Sequence, residues 1–63
     1  MKFQIKEKRE EQHMTQTELA KKSGVSRQQI YLLESGKMSV TRTDTLKQLA
    51  EAIGCKIQDL FLD

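Results

Sequence analysis

Arg27 and Gln28 are neighbours in the most basic stretch of this 63-residue chain. Each side chain carries paired hydrogen-bonding groups. A guanidinium matches the two acceptors on the major-groove edge of guanine, and a carboxamide matches the donor and acceptor of adenine. Residues 21–42 hold Lys21, Lys22, Arg27, Lys37 and Arg42 against Glu34 alone, a net +4. Residues 1–20 sum to zero and residues 43–63 to −2, so the overall +2 is confined to the middle third. That pattern fits a polyanion-binding face on an otherwise balanced protein. Clustered, merely solvated lysines are the competing reading.

Other chemistries find few residues. His13 is the one histidine and lacks ligand partners, so a solvated position at the end of a helix is expected. Cys55 is the one cysteine, which excludes an intrachain disulfide and a cysteine-rich zinc site. A small, partly buried role is expected for it. There is no glycine-rich phosphate loop and no nucleophile motif. The carboxylates read as solvated helix faces. Neither catalysis nor a cofactor is expected, and no metal or small-molecule ligand is evident.

Size and patterning narrow the class. A chain this short buries roughly 60% of its unfolded surface, enough for a thin core and a single domain spanning residues 1–63. Charged residues make up 32% of the chain, and the longest apolar run, Ile30 to Leu33, has four residues. That excludes a membrane span. The beginning, Met-Lys-Phe-Gln-Ile-Lys-Glu, lacks the apolar stretch of a secretory signal. A soluble, cytoplasmic protein is expected.

The elements that would position Arg27 and Gln28 are marked by starts and stops. There is no proline, and Gly24, Gly36 and Gly54 each follow a helix-compatible stretch. Glycine just past a helix end adopts the left-handed conformation at little cost. Thr15-Gln-Thr-Glu18, Ser26-Arg-Gln-Gln29 and Thr41-Arg-Thr-Asp44 have capping-box spacing, although Thr43 competes with Thr41 as the third cap. These marks predict helices near 2–12, 16–23, 27–35 and 44–53, and a short last one near 57–62. Leu46, Leu49, Ala50, Ile53 and Ile57 recur at helical spacing, and Ile30 with Leu33 forms a shorter stripe. No stretch alternates as a strand would. The expected fold is all-α.

The stop at Gly24 and the start at Ser26 lie two residues apart, with only Val25 between them. Helices joined so tightly must cross at a large angle, as in a helix-turn-helix. Val25 would point inward and pin the corner, and the small side chain of Ala20 would let the second helix approach the first. Ile30 and Leu33 would anchor the inner face of the second helix. Arg27, Gln28, Tyr31 and Leu32 would face out.

The segment from Thr15 through Gly24-Val-Ser-Arg-Gln-Gln-Ile-Tyr-Leu-Leu-Glu-Ser-Gly-Lys37 resembles the helix-turn-helix core of the Cro/cI phage-repressor family, also called the xenobiotic-response-element family. Ile5-Lys-Glu-Lys-Arg9 resembles its first helix. Leu46 to Gly54 and Ile57-Gln-Asp-Leu-Phe61 resemble its last two, so nearly the whole chain is covered. The resemblance implies a compact five-helix, lambda-repressor-like DNA-binding domain whose third helix enters the major groove. By position it implies base contacts from Arg27 and Gln28, and phosphate contacts or support from Gln16, Ser26 and Gln29. Leu32 takes a base-facing position but is apolar, so it would meet only a thymine methyl or stay half-buried. Tyr31 is divided between a phosphate hydrogen bond and loop packing. Lys37 and Arg42 would meet the backbone, and Lys21 and Lys22 would be a solvated face. Arg9 and Glu34 match a family pair tying the first helix to the third. Two departures stand out: no proline within Met38 to Thr43, and Lys56 where a capping serine is common.

The function implied is that of a transcriptional regulator, a repressor of prophage or mobile-element type acting on a double-stranded operator. A homodimer is expected, through Ile57, Leu60, Phe61 and Leu62, with core packing the competing use of the first three. The alternatives are an antitoxin or restriction-modification controller protein, and a helical protein-interaction module that does not use DNA.

Overall fold

A computed structural model describes residues 3–38 and 41–61. Four α-helices follow one another: α1 (Ile5–Glu11), α2 (Gln16–Ser23), α3 (Arg27–Glu34) and α4 (Thr43–Ile53). The expected fifth helix is instead one 3-10 turn, Ile57–Leu60. Its four residues are too few for an α-helical ladder, and Lys56 contributes its backbone N–H, donated to Asp59 Oδ2 at 3.1 Å, rather than an accepting hydroxyl. Among the described residues, no helix is long and apolar enough to cross a membrane.

Local chemistry explains most boundaries. Thr15 Oγ1 accepts from the Glu18 N–H at 3.1 Å while the Thr15 N–H donates to Glu18 Oε1 at 2.9 Å, a reciprocal capping box that starts α2. Gly24 ends it at φ +80°. Ser26 Oγ accepts from the Gln29 N–H at 3.2 Å and starts α3, but the Gln29 side chain turns away instead of closing the box. At α4 neither threonine caps: Arg42 is the capping residue, without a side-chain bond, and Thr43 is already helical.

The end of α1 follows a rule that glycine spacing could not reveal. His13, exposed at φ +58°, occupies the left-handed position itself. Its N–H donates to the Glu10 carbonyl at 2.9 Å, and the Met14 N–H donates to the Arg9 carbonyl at 3.2 Å. Those two bonds make a Schellman motif, which satisfies the last carbonyls of the helix.

One residue from each helix or turn reaches zero exposure: Ile5, Leu19, Ile30, Leu49 and Leu60. Val25 is buried and pins the corner between α2 and α3, while Ala20 packs beside the core. The two ends of the described chain meet in an antiparallel bridge between Phe3 and Phe61, whose rings lie 5.5 Å apart. Beside it the Gln4 N–H donates to the Leu60 carbonyl at 2.8 Å, and Gln4 Nε2 to the Asp59 carbonyl at 2.7 Å. Leu60 is thereby held inside the monomer, so it drops out of any contact between two copies. Ile57 and Phe61 are half-buried, and Leu62 lies outside the described residues.

Candidate nucleic-acid interface

The periodicity of α3 divides it cleanly. Ile30 and Leu33 point into the core at 0% and 2% exposure. Residues three or four apart share a helix face, so Arg27, Tyr31 and Ser35 line up on the opposite side with Gln28 beside them. All four are exposed, Tyr31 at 49%. Leu32 sits at the edge of this stripe and is half-buried. Lys37 is exposed after α3, its ammonium 5.9 Å from the centre of the Tyr31 ring, and Arg42 is exposed before α4.

The remaining candidates lie off this stripe. Ser26 caps α3. Gln29 Nε2 donates to Thr41 Oγ1 at 3.3 Å, tying α3 to the segment leading into α4. Gln16 opens α2 and is half-buried, with its Nε2 donating to Glu34 Oε1 at 3.0 Å. Lys21 and Lys22 border a hollow with Gln12, Met14, Glu18 and Ile53, to which α3 contributes nothing.

One ion pair holds the stripe in place. Arg9 Nε donates to Glu34 Oε2 at 2.8 Å and Arg9 Nη2 to Glu34 Oε1 at 3.1 Å, while Nη1 donates to the Met14 carbonyl. The two side chains are only 9% and 4% exposed. The hydrogen bond to Glu34 holds the Arg9 guanidinium above its ordinary pKa, against the opposing effect of burial. This pair joins α1 to the carboxyl end of α3, and Gln16 extends the link to the start of α2. The resemblance implied the Arg9–Glu34 pair. Two links leave no mark in the sequence, Gln16 to Glu34 and Gln29 to Thr41, and Lys6 lines one open hollow together with Tyr31 and Ser35.

The arrangement is an anchored helix whose outer side carries an arginine, a glutamine and a tyrosine. Among the described residues no three histidine, cysteine or acidic side chains gather as a metal site requires. Cys55 is half-buried, and burial pushes its thiol above the ordinary pKa.

Comparison with known proteins agrees with this geometry. Residues 5–60 match the helix-turn-helix family model. An uncharacterised HTH-type transcriptional regulator of Archaeoglobus fulgidus is 42% identical over 62 residues, covering 98% of this chain and 86% of the relative. One from Methanocaldococcus jannaschii is also 42% identical, with 98% and 92% covered. The HTH-type transcriptional repressor RghR of Bacillus subtilis is 44% identical over 58 residues, 92% of this chain but 43% of that protein. No solved structure gives a significant match. With its turn at Gly24–Val25 and its family match over nearly the full chain, the protein belongs to the helix-turn-helix family.

Proposed function

We propose that the chain is a sequence-specific DNA-binding transcriptional regulator, and a repressor of prophage or mobile-element type, that lays α3 in the major groove. The observation that carries this reading is the exposed Arg27–Gln28 pair at the amino end of a helix locked to α1 by a buried ion pair. In helix-turn-helix proteins that end of the recognition helix reaches the base edges. Arg27 and Gln28 read bases. Tyr31, Lys37, Arg42 and the free N–H of Gln16 meet phosphates, while Ser26 and Gln29 hold the helix in register. Binding, not catalysis, is the activity, and repression follows when an occupied operator overlaps a promoter. The names carried by the relatives, regulators and one repressor, support the assignment.

A domain of this size covers little DNA, so the functional unit is a two-fold pair on half-sites about 34–36 Å apart. With Leu60 in the core, the contact between copies uses the outer sides of Ile57 and Phe61. A melting temperature that rises with protein concentration supports the pair; a flat dependence and a monomer mass remove it.

The decisive experiment selects bound duplexes from random DNA and measures affinity against salt. An enriched motif, bound with affinity that falls steeply as salt rises, is expected because lysines and arginines release counterions. No enrichment, or binding indifferent to salt, overturns the proposal.

A further inference from the structure

Where the end of α1, the outer side of α2 and the end of α4 converge, Gln12, Met14, Glu18, Lys21, Lys22 and Ile53 line an open hollow of about 560 Å³. Two of them are apolar: Ile53, which belongs to the core, and half-buried Met14. Arg9 fixes the Met14 backbone from both sides. The Met14 N–H donates to the Arg9 carbonyl at 3.2 Å, and the Met14 carbonyl accepts from Arg9 Nη1. This part of the hollow is therefore preformed. The methionine side chain itself is flexible and polarisable, which suits a surface that adapts to an incoming apolar group.

The rest of the hollow is basic. Lys21 and Lys22 are exposed and join no ion pair among the described residues. Glu18 stands three and four residues before them, at the spacing that pairs side chains along a helix. Its Oε1 instead accepts from the Thr15 N–H at 2.9 Å, in the cap of α2. The cap thus engages the one carboxylate of the hollow and leaves both ammonium groups to an outside partner.

Geometry selects the kind of partner. Successive residues stand about 100° apart around a helix, so Lys21 and Lys22 diverge and call for two separate carboxylates. A chain with acidic residues at several positions supplies them. The hollow is open, whereas sites for small ligands enclose about 70–90% of the ligand surface. Gln16 turns toward Glu34 on α3. Lys21 and Lys22 stand about 140° and 120° from Gln16 around α2, in opposite senses, so both look away from α3.

We propose that this hollow docks an acidic segment of a protein partner, with an apolar side chain seated on Met14 and flanking carboxylates on Lys21 and Lys22. The site goes beyond the DNA-binding reading and leaves α3 free, so a regulator seated on its operator holds the partner at the same time.

The test titrates the wild-type chain into three fluorescein-labelled octapeptides at about 0.15 M salt, where exposed charges attract only over about 8 Å. One consists of aspartate and glutamate around a central leucine. The second has serine in place of the leucine, and the third carries the amides of the same acids. Fluorescence anisotropy should show saturable binding of the leucine peptide, weaker binding of the serine peptide and none of the amide peptide. Each exposed ion pair contributes modestly, so Lys21→Gln with Lys22→Gln should weaken the leucine peptide about two- to thirtyfold. Lys47→Gln with Lys56→Gln removes the same charge from exposed positions outside the hollow and should match the wild type. Excess duplex selected by the wild type should leave the peptide bound. Equal losses for the two double variants, or equal binding of the leucine and serine peptides, reduce the effect to general polyanion attraction and overturn the docking site. Displacement of the peptide by the duplex overturns it by giving the lysines to DNA, and so does the absence of saturable binding by the leucine peptide. A wild type that binds no duplex removes the DNA-binding reading alone, and the peptides still decide the hollow.

Discussion

Arg9 and Glu34 meet through two N–H···O bonds of 2.8 and 3.1 Å, at a point where both side chains are nearly closed to solvent. The same carboxylate also accepts from Gln16 at 3.0 Å. One acidic group on α3 thus gathers the middle of α1 and the first residue of α2. The helix α3 is short, and its own hydrogen bonds would not keep it at a fixed angle. Its orientation is set by the apolar contacts of Ile30 and Leu33 on one side and by this ionic anchor at its carboxyl end.

Replacing Arg9 with alanine leaves Glu34 buried without its cation. Breaking a buried pair in this way costs about 3–5 kcal/mol. A chain of this length has a total stability of roughly 3–9 kcal/mol, so Arg9→Ala should lose about a third of it or more and melt well below the parent. Arg9→Met combined with Glu34→Leu should recover much of the loss, because no isolated charge remains. Thermal unfolding followed by circular dichroism checks both. A double variant no more stable than Arg9→Ala would show that the pair's neighbours, and not the stranded carboxylate, set the cost.

The sequence legibly marks the unit from Thr15 to Glu34, because its signals are local: a reciprocal cap, a left-handed glycine, a second cap and an apolar stripe. The end of α1 was less legible, since His13 takes the conformation that Gly24, Gly36 and Gly54 take elsewhere. The start of α4 was misleading. Thr41 offers its hydroxyl to Gln29 instead of to a helix amide, a contact that depends on how α3 packs. Long-range pairs leave no periodic trace. The bridge between Phe3 and Phe61 needs only one residue from each end, too little for a strand pattern. Leu60, Phe61 and Leu62 are consecutive in the sequence and equally apolar, and only burial separates Leu60, in the core, from half-exposed Phe61. At the candidate interface, outward-facing Arg27 and Gln28 follow from helical spacing, whereas the hollow around Lys6 depends on tertiary packing.

Gly24→Ala tests the corner that separates α2 from α3. A β-carbon there meets no heavy atom within 4 Å, so the penalty is conformational and not steric crowding. Holding an L-residue in the left-handed region costs about 1–2 kcal/mol, offset in part by about 0.4–1 kcal/mol from a less flexible unfolded chain. A net loss of about 1 kcal/mol should lower the melting temperature by about 4–8 °C. Gly24→Asn should lose less, because asparagine tolerates that region better. Equal melting temperatures for Gly24→Ala and the parent would remove the corner's dependence on glycine.

Glu18 links stability to pH through the cap of α2. The backbone N–H of Thr15 donates to its carboxylate, and this bond, followed by the one involving the Thr15 side chain, lowers its pKa below the ordinary glutamate value. A depressed carboxylate pKa contributes stability that is present above the unfolded value and lost as pH falls through the folded one. The parent should therefore be more stable than Glu18→Gln near pH 7, and the difference should shrink as the pH falls below the ordinary glutamate range. Melting curves of the two proteins across that range isolate this group, since every other carboxylate is common to both. A gap that does not depend on pH would mean the ionised form of Glu18 makes no special contribution.

Arg27→Ala tests the reading face itself. The side chain is exposed and joins no ion pair among the described residues, so its removal should change the stability by no more than about 0.5 kcal/mol. On a selected duplex it should cost about 1–3 kcal/mol and relax the preference at one base pair only. Gln28→Ala should relax a neighbouring position, because the two residues stand side by side on the helix. Competition binding against duplexes substituted one base pair at a time separates the outcomes. A loss spread evenly over all duplexes, with a shallower salt dependence, would move Arg27 from base to phosphate. The sequence preference would then have to reside in Gln28 and in the deformability of the DNA.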